Sequence, residues 1–390
     1  MLLDNDFLSD NRVEKEAISL IAAGYSVEIV CLKGAGLPLN EERNSIRVTR
    51  LMDPVLYTRP FSAAARSSVR GLIETLGRSD FDYLHVHDYN LVHVGKELKR
   101  ARTALPAIYD SHEYFAEFPF YRSAKSLNTR LKTYLVWRLL LLRERSAARS
   151  YDALITTTDY ISAKLRQRFR IPRSTSLRNI PERQTPPSSN HLRVSLGLEH
   201  DSVVVVHSGN IYFQPDYLST IHHSLSALPG RAYFVMLVDS SRSNRHRAFV
   251  AEHALADRIR FVDYPPKDKG IEYLSSASIG FSWVNPEFKS QLYTSANRYW
   301  EYTMARLPVV SNQQIEVAEE IRSFGNGLIY SDEGNGLTRA LLNVLEDYMS
   351  YKEAALRASQ GSSWESESLK LLQLYEGLDR RESPALNLSS

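Results

Sequence analysis

The sequence predicts an α/β protein built from two doubly wound, parallel-sheet domains, and three observations carry that expectation. The chain has 390 residues, more than one ordinary core and suited to two domains of roughly 180 residues each. Short apolar runs alternate with helical stretches in both halves. Between the halves, residues 181–190 read Pro-Glu-Arg-Gln-Thr-Pro-Pro-Ser-Ser-Asn, a linker by composition. The domains are therefore expected at 1–182 and 193–362, joined by a linker at 183–192 and followed by a terminal helix at 363–380 and a disordered tail at 381–390.

Composition narrows the function. Apolar residues make up 43% of the chain, enough for two packed cores, and the net charge of +3 argues against a dedicated nucleic-acid binder. A single cysteine excludes an internal disulfide. Cys31, after Val27-Glu28-Ile29-Val30, reads as a buried inert thiol, which suits a reducing cytoplasm. The N-terminus lacks the basic flank and apolar run of a signal peptide, and no stretch of about 18 apolar residues could span a bilayer. The expected location is cytoplasmic, with a peripheral position on the inner membrane face open.

In chain order, Leu2-Leu3 is the stub of a first strand, and a turn from Asp4 to Asn11 leads into a helix over Val13–Ala23 that stops at Gly24. Tyr25–Leu32 and Ile46–Leu51 read as strands, and Pro54–Arg78 as a loop followed by an amphipathic helix. Phe81–His87 is a strand whose alternation puts Tyr83, His85 and His87 on one face and Leu84, Val86 and Asp88 on the other. No cysteine and no third ligand at metal spacing accompanies the His-x-His pair, so hydrogen-bonded histidines are expected and no metal. The strand Pro106–Tyr109 runs into Asp110-Ser111-His112-Glu113, which places His112 and Glu113 past a strand's carboxyl end, where open parallel sheets bind ligands.

From Arg122 to Arg149, eight Lys or Arg are interleaved with leucines and Trp137, against the one acid Glu144. Such a stretch suits either an anionic membrane surface or a core-packed helix with solvated arginines. Asp152–Thr158, Tyr160–Phe169 and Ser174–Asn179 complete the first half as strand, helix and strand. The second half restarts with Val203-Val204-Val205-Val206-His207, apolar enough for the centre of a parallel sheet. Ser208-Gly209-Asn210 follows it and can offer backbone amides to a phosphate. Strands over Tyr233–Val238, Arg258–Val262 and Ile279–Val284 alternate with helices. Ser295 to Ser311 then forms a short helix with Asn297 able to cap it and Arg298 and Glu301 three apart on one face, before the buried strand opening at Pro308-Val309-Val310.

The words Arg298-Tyr299-Trp300-Glu301-Tyr302-Thr303-Met304-Ala305-Arg306-Leu307-Pro308-Val309-Val310 resemble the nucleotide-sugar motif of glycosyltransferase family four, with Arg298 at its usual lysine and Arg306 at its usual glycine. Asp10-Asn11-Arg12-Val13, Asp110-Ser111-His112-Glu113 and Arg178-Asn179-Ile180-Pro181 resemble three further family motifs. The resemblance implies a GT-B fold, two Rossmann-like domains facing a cleft with a C-terminal helix crossing back onto the first. It implies retaining, metal-independent, hexosyltransferase-type transfer from a UDP- or GDP-type nucleoside diphosphate sugar to a glycan or lipid-linked acceptor, with no other cofactor. The catalytic residues implied are His112, Glu113 and Arg298. The donor would meet Gly209, Asn210, Tyr293, Ser295, Asn297, Arg298 and Glu301, with Glu301 on the ribose. The acceptor side would carry Asn11, Arg12 and Asp88.

The chain also departs from that pattern. Its first turn lacks a glycine pair. Asn210 stands where an Arg usually holds the diphosphate, Gln214-Pro215-Asp216 where a Lys-Gly is usual, and Tyr293 where a paired glutamate is common. Arg298 is then the remaining cation for the phosphates. The alternative is a catalytically inactive GT-B protein that binds or scaffolds an active transferase.

Overall fold

The structure is a computed structural model, and it describes residues 1–118, 126–185, 189–211 and 213–379. The tail expected at 381–390, the start of the basic stretch at 122–125 and the middle of the linker at 186–188 lie outside the described residues. The chain divides into two compact units. Of the described residues, one comprises Met1–Arg178 with 367–379, and the other is Asn179–Ser366.

The first unit carries β1 (Glu28–Leu32), β2 (Asn40–Arg43), β3 (Ile46–Met52), β4 (Leu84–His87), β5 (Ala107–Ser111), β6 (Ala153–Thr156) and β7 (Arg173–Ser176). Two ladders form, in the orders β1-β3-β2 and β4-β5-β6-β7. Leu2 joins them through parallel bridges to Val30 and Val86, so the predicted first strand survives as one paired residue. Every pairing is parallel except β2 with β3. The strand β2 was not foreseen, because Asn-Glu-Glu-Arg has no apolar alternation. It is tied to β3 by Arg50, which is 1% exposed and donates to Glu41 Oε1 (2.7 Å), Asp6 O (3.2 Å) and Pro38 O (3.0 Å).

The helix Trp364–Asp379 packs into this unit from the far end of the sequence. Tyr375 packs edge-on against Tyr25 and tilted against Tyr83, at centroid separations of 5.4 and 5.2 Å. Glu367, 1% exposed, accepts from Arg178 Nε (3.0 Å) and Nη2 (2.8 Å) and from its backbone N (2.9 Å).

The second unit holds one all-parallel sheet of six strands, β8 (Val203–Ser208), β9 (Ala232–Leu237), β10 (Ile259–Val262), β11 (Ile279–Ser282), β12 (Val309–Ser311) and β13 (Gly327–Ile329), ordered β10-β9-β8-β11-β12-β13. The valine run of β8 is explained by its two covered faces. Val205 joins a core with Phe234, Ile279, Phe281 and Val310, while Val204 and Val206 join another with Val235, Leu237, Tyr299, Trp300 and Tyr302. Gly280 of β11 has no side chain because the Tyr302 ring lies there; a Cβ would come within 2.4 Å of it.

Candidate functional site

The polar groups of the second unit gather at the carboxyl end of β8, as an open parallel sheet favours. Gly209 takes φ +88°, a left-handed turn that glycine adopts without steric cost. The turn brings Ser208 and Asn210 beside the helix Asn297–Met304. Seated over Gly280, Tyr302 accepts from Ser208 N (2.9 Å) and donates to Phe281 O (3.1 Å). Glu301, one residue earlier, accepts at Oε2 from Ser208 Oγ (3.0 Å) and Tyr264 OH (3.3 Å). The helix thus delivers a carboxylate oriented by two hydroxyls.

Arg298, 8% exposed, sits one turn earlier on the same helix. His207 Nε2–H donates to Asn210 O (3.1 Å), Arg298 Nη1 lies 3.3 and 3.2 Å from the ring's Nδ1 and Nε2, and Arg298 Nη2 also donates to Asn210 O (3.2 Å). Burial, and then the Arg298 charge, hold His207 well below its ordinary pKa, so a neutral imidazole faces the guanidinium. A second cation arrives that sequence reading missed. Exposed Arg242, from the helix Ser240–Glu252, donates to Asn210 Oδ1 at 2.7 Å. Its only sequence signal was its place just after β9, a short helix start past a strand's end. Asn210 is thus met by guanidinium groups from two different elements.

The other expected donor residues are spread more widely. Ser295 accepts from Trp300 Nε1 at 2.7 Å and so braces the helix start. Asn297 is exposed and is the first helical residue rather than the cap; the N-cap is Ala296, with no side-chain bond. Tyr293 lines a separate open hollow of about 760 Å³ with Asn312, Gln314, Arg322 and Asp332, and neither Arg298 nor Glu301 lines it. Arg306 takes φ +58°, a left-handed backbone conformation that favours glycine.

In the first unit, a buried ionic cluster joins the helix Asn11–Ala22 to β4 and β5. Asp10 caps that helix through Val13 N (3.1 Å), and Asn11 beside it is exposed. Arg12 points inward, 5% exposed, and pairs with Glu16 Oε1 (3.0 Å) and Asp110 Oδ1 (3.1 Å) while donating to Leu177 O (2.6 Å). Asp110 Oδ2 lies 3.8 Å from His85 Nε2, 3.5 Å from His87 Nδ1 and 3.5 Å from His112 Nε2. Asp88, at φ +62°, accepts from His112 N at 3.1 Å and faces its Nδ1 at 3.4 Å. His112 is thereby clamped between two carboxylates. Burial alone would lower its pKa, but Asp88 and Asp110 raise it to about 10, which keeps the imidazolium charged at neutral pH. Glu113 follows as an exposed residue.

Glu16, His85, His87 and Asp110 each bring one possible ligand atom within 4.8 Å of the others. The two carboxylates beside the His-x-His pair could not be seen in the sequence, because they come from other elements. Arg12 already supplies the positive charge those carboxylates need, so the set fits an ion-pair hub better than a cation site.

The comparisons with known proteins agree with this architecture. Residues 11–179 match the family model Glycosyltransferase Family 4, which bears out the resemblance over most of the first unit. No curated protein matches the sequence. Sucrose-phosphate synthase from Thermosynechococcus elongatus aligns at TM-score 0.75 and 19% identity, over 98% of this chain and 99% of its own. Anabaena HepE in complex with UDP-glucose aligns at TM-score 0.68 and 15% identity, over 96% and 98%. A glycosyltransferase from Rickettsia africae aligns at 0.68 and 14%, over 98% of each chain. The fold is therefore GT-B, and family match and fold together support a nucleotide-sugar glycosyltransferase.

Proposed function

We propose that this chain, whose residues 11–179 match glycosyltransferase family 4, is a metal-independent, retaining transferase. It would move a hexose from a UDP- or GDP-type sugar to a glycan or lipid-linked acceptor in the cytoplasm. The observation that carries the reading is the carboxylate of Glu301 held by Ser208 and Tyr264 beside the Gly209 turn and Arg298. A fixed carboxylate is suited to accept from a ribose diol, and a glycine turn with two guanidinium groups is suited to a diphosphate.

In this reading the second unit binds the donor. As the bond from the sugar's anomeric carbon to the diphosphate breaks, negative charge grows on the leaving group. Arg298 stabilises it more in the transition state than in the ground state, while exposed Arg242 mainly holds the bound donor. The first unit serves the acceptor side, where His112, held as an imidazolium by Asp88 and Asp110, presents its positive charge to the sugar rather than attacking carbon. Asn11 and Glu113 are exposed polar residues of that unit. The structure of HepE with UDP-glucose supports a uridine donor by analogy.

The test is a donor-hydrolysis screen with UDP- and GDP-sugars, run with and without EDTA and joined to calorimetry of UDP and GDP. Turnover should survive EDTA, and Glu301→Ala should weaken nucleotide binding by about 1.5–3 kcal/mol. Nucleotide affinity unchanged by Glu301→Ala would remove the site. Binding without any turnover would favour the inactive scaffold, a reading motivated by Asn210 and Tyr293 standing at positions where the family has charged residues.

A further inference from the structure

The helix Leu127–Ala148 carries leucines on two sides, where a single apolar face was expected. Leu140, Leu141, Ala147 and Ala148 are buried, so one side packs on the first unit. Leu127, Leu131, Leu135, Leu139 and Leu142 are 82%, 58%, 54%, 51% and 59% exposed. At ~100° and 1.5 Å per residue they fall within an arc of about 120° and run for roughly 22 Å. Five of the fifteen exposed large apolar side chains among the described residues lie in this one stripe, which differs from the single scattered ones of an ordinary surface.

The charge around the stripe has one sign. Arg130, Lys132, Arg138, Arg145 and Arg149 are exposed. The helix's acid, Glu144, is 2% exposed and accepts from Tyr109 OH at 2.8 Å. By the same ~100° rotation Arg138, Arg145 and Arg149 emerge within about 40° of one edge of the leucine arc.

We propose that this helix lies flat on an anionic lipid bilayer, with the leucine stripe in the acyl boundary and the arginines on the headgroup phosphates. A second copy of the chain could cover the leucines, but it would set one row of arginines against another with no exposed carboxylate on the helix to pair them. An anionic bilayer satisfies both the apolar stripe and the charge. The proposal does not depend on the sugar chemistry assigned above.

The experiment is co-sedimentation of the full chain with vesicles of phosphatidylcholine alone and of phosphatidylcholine mixed with phosphatidylglycerol, across a salt series. Binding should require phosphatidylglycerol and weaken as salt rises. Each basic residue near the surface is worth on the order of fivefold, so Arg138→Gln, Arg145→Gln and Arg149→Gln together should weaken binding by ~100-fold. Leu131→Ser with Leu135→Ser and Leu139→Ser should abolish it at low salt too, with the circular dichroism spectrum and vesicle-free donor hydrolysis unchanged. Equal pelleting with both vesicle types, or full binding by the leucine variant, would overturn the proposal. So would a wild-type dimer in light scattering that the leucine variant converts to monomer, because the stripe would then be a contact between copies. Should the leucine variant fail to fold, the arginine variant decides alone.

Discussion

At the scale of single residues, the two guanidinium groups at Asn210 are the most testable feature. Arg298 is buried against His207 while Arg242 is exposed, so their substitutions should differ in kind. Arg298→Ala should depress kcat more than donor affinity, because its charge meets the leaving group, and Arg298→Lys should keep part of the rate. Arg242→Ala should cost about 1.5–3 kcal/mol of donor binding with a smaller effect on kcat. Steady-state kinetics with the preferred donor separate the two, and identical kcat/KM for all three variants and wild type would mean neither reaches phosphate. Arg306 offers a stability test free of chemistry. At φ +58° a non-glycine residue pays on the order of 1 kcal/mol, most of which glycine's entropic cost offsets, so Arg306→Gly should hold Tm or raise it by about 1 °C in calorimetry, whereas Arg306→Val should lower it.

Among elements, the junction of the Asn11–Ala22 helix with β4 and β5 should give the first unit a distinctive pH dependence. Burial, then Asp110, raise Glu16 to about 8, and His112 is raised to about 10 by the carboxylates that override its burial. Both groups bind protons more tightly folded than unfolded, so their contributions fall as pH rises. The Glu16 effect runs from its ordinary 4.5 to about 8. The stabilisation from His112 is complete below 6.5 and lost as pH climbs through about 10. The buried Met1 ammonium, lowered from 8.0 to about 6, works in the opposite direction, which makes a comparison of variants cleaner than a single curve. Glu16→Gln should lose less Tm than wild type between about pH 5 and pH 8. Parallel Tm profiles for the two proteins would show that Glu16 keeps its charge beside Arg12.

For the whole molecule, the first unit is completed by residues nearly two hundred positions downstream. Glu367 meets Arg178 with three hydrogen bonds, and Tyr375 OH lies 3.0 Å from His85 Nδ1 in the ionic cluster. Removing Glu367 leaves the part-exposed Arg178 without these charge-assisted hydrogen bonds, so Glu367→Ala should destabilise the first unit by roughly 1.5–3 kcal/mol. Scanning calorimetry should show its transition fall while that of the second unit moves less, and a uniform shift of both would tie Glu367 to the two units alike.

Much of this was legible in the sequence, for a physical reason: parallel strands covered on both faces need continuous apolar runs, and helices need a 3.6-residue period, so order and type of element are written locally. The valines of β8, the helix over Arg298 and Glu301 and the strand before His112 were all readable in that way, as was the resemblance that points to Glu301. Other features have no local trace. β2 is polar throughout and forms because Arg50 anchors Glu41. Arg242 reaches Asn210 from 32 residues away, and Asp110 collects Arg12, His85, His87 and His112 from three separate stretches. Arg12 looked like a cleft residue and is a buried partner of two carboxylates. The leucines of Leu127–Ala148 divide into buried and exposed only once neighbouring elements cover one side of the helix. Periodicity records what a segment can bury, whereas which charges meet, and which apolar side chains stay in water, are decided by the packing of distant segments, and so by the tertiary structure alone.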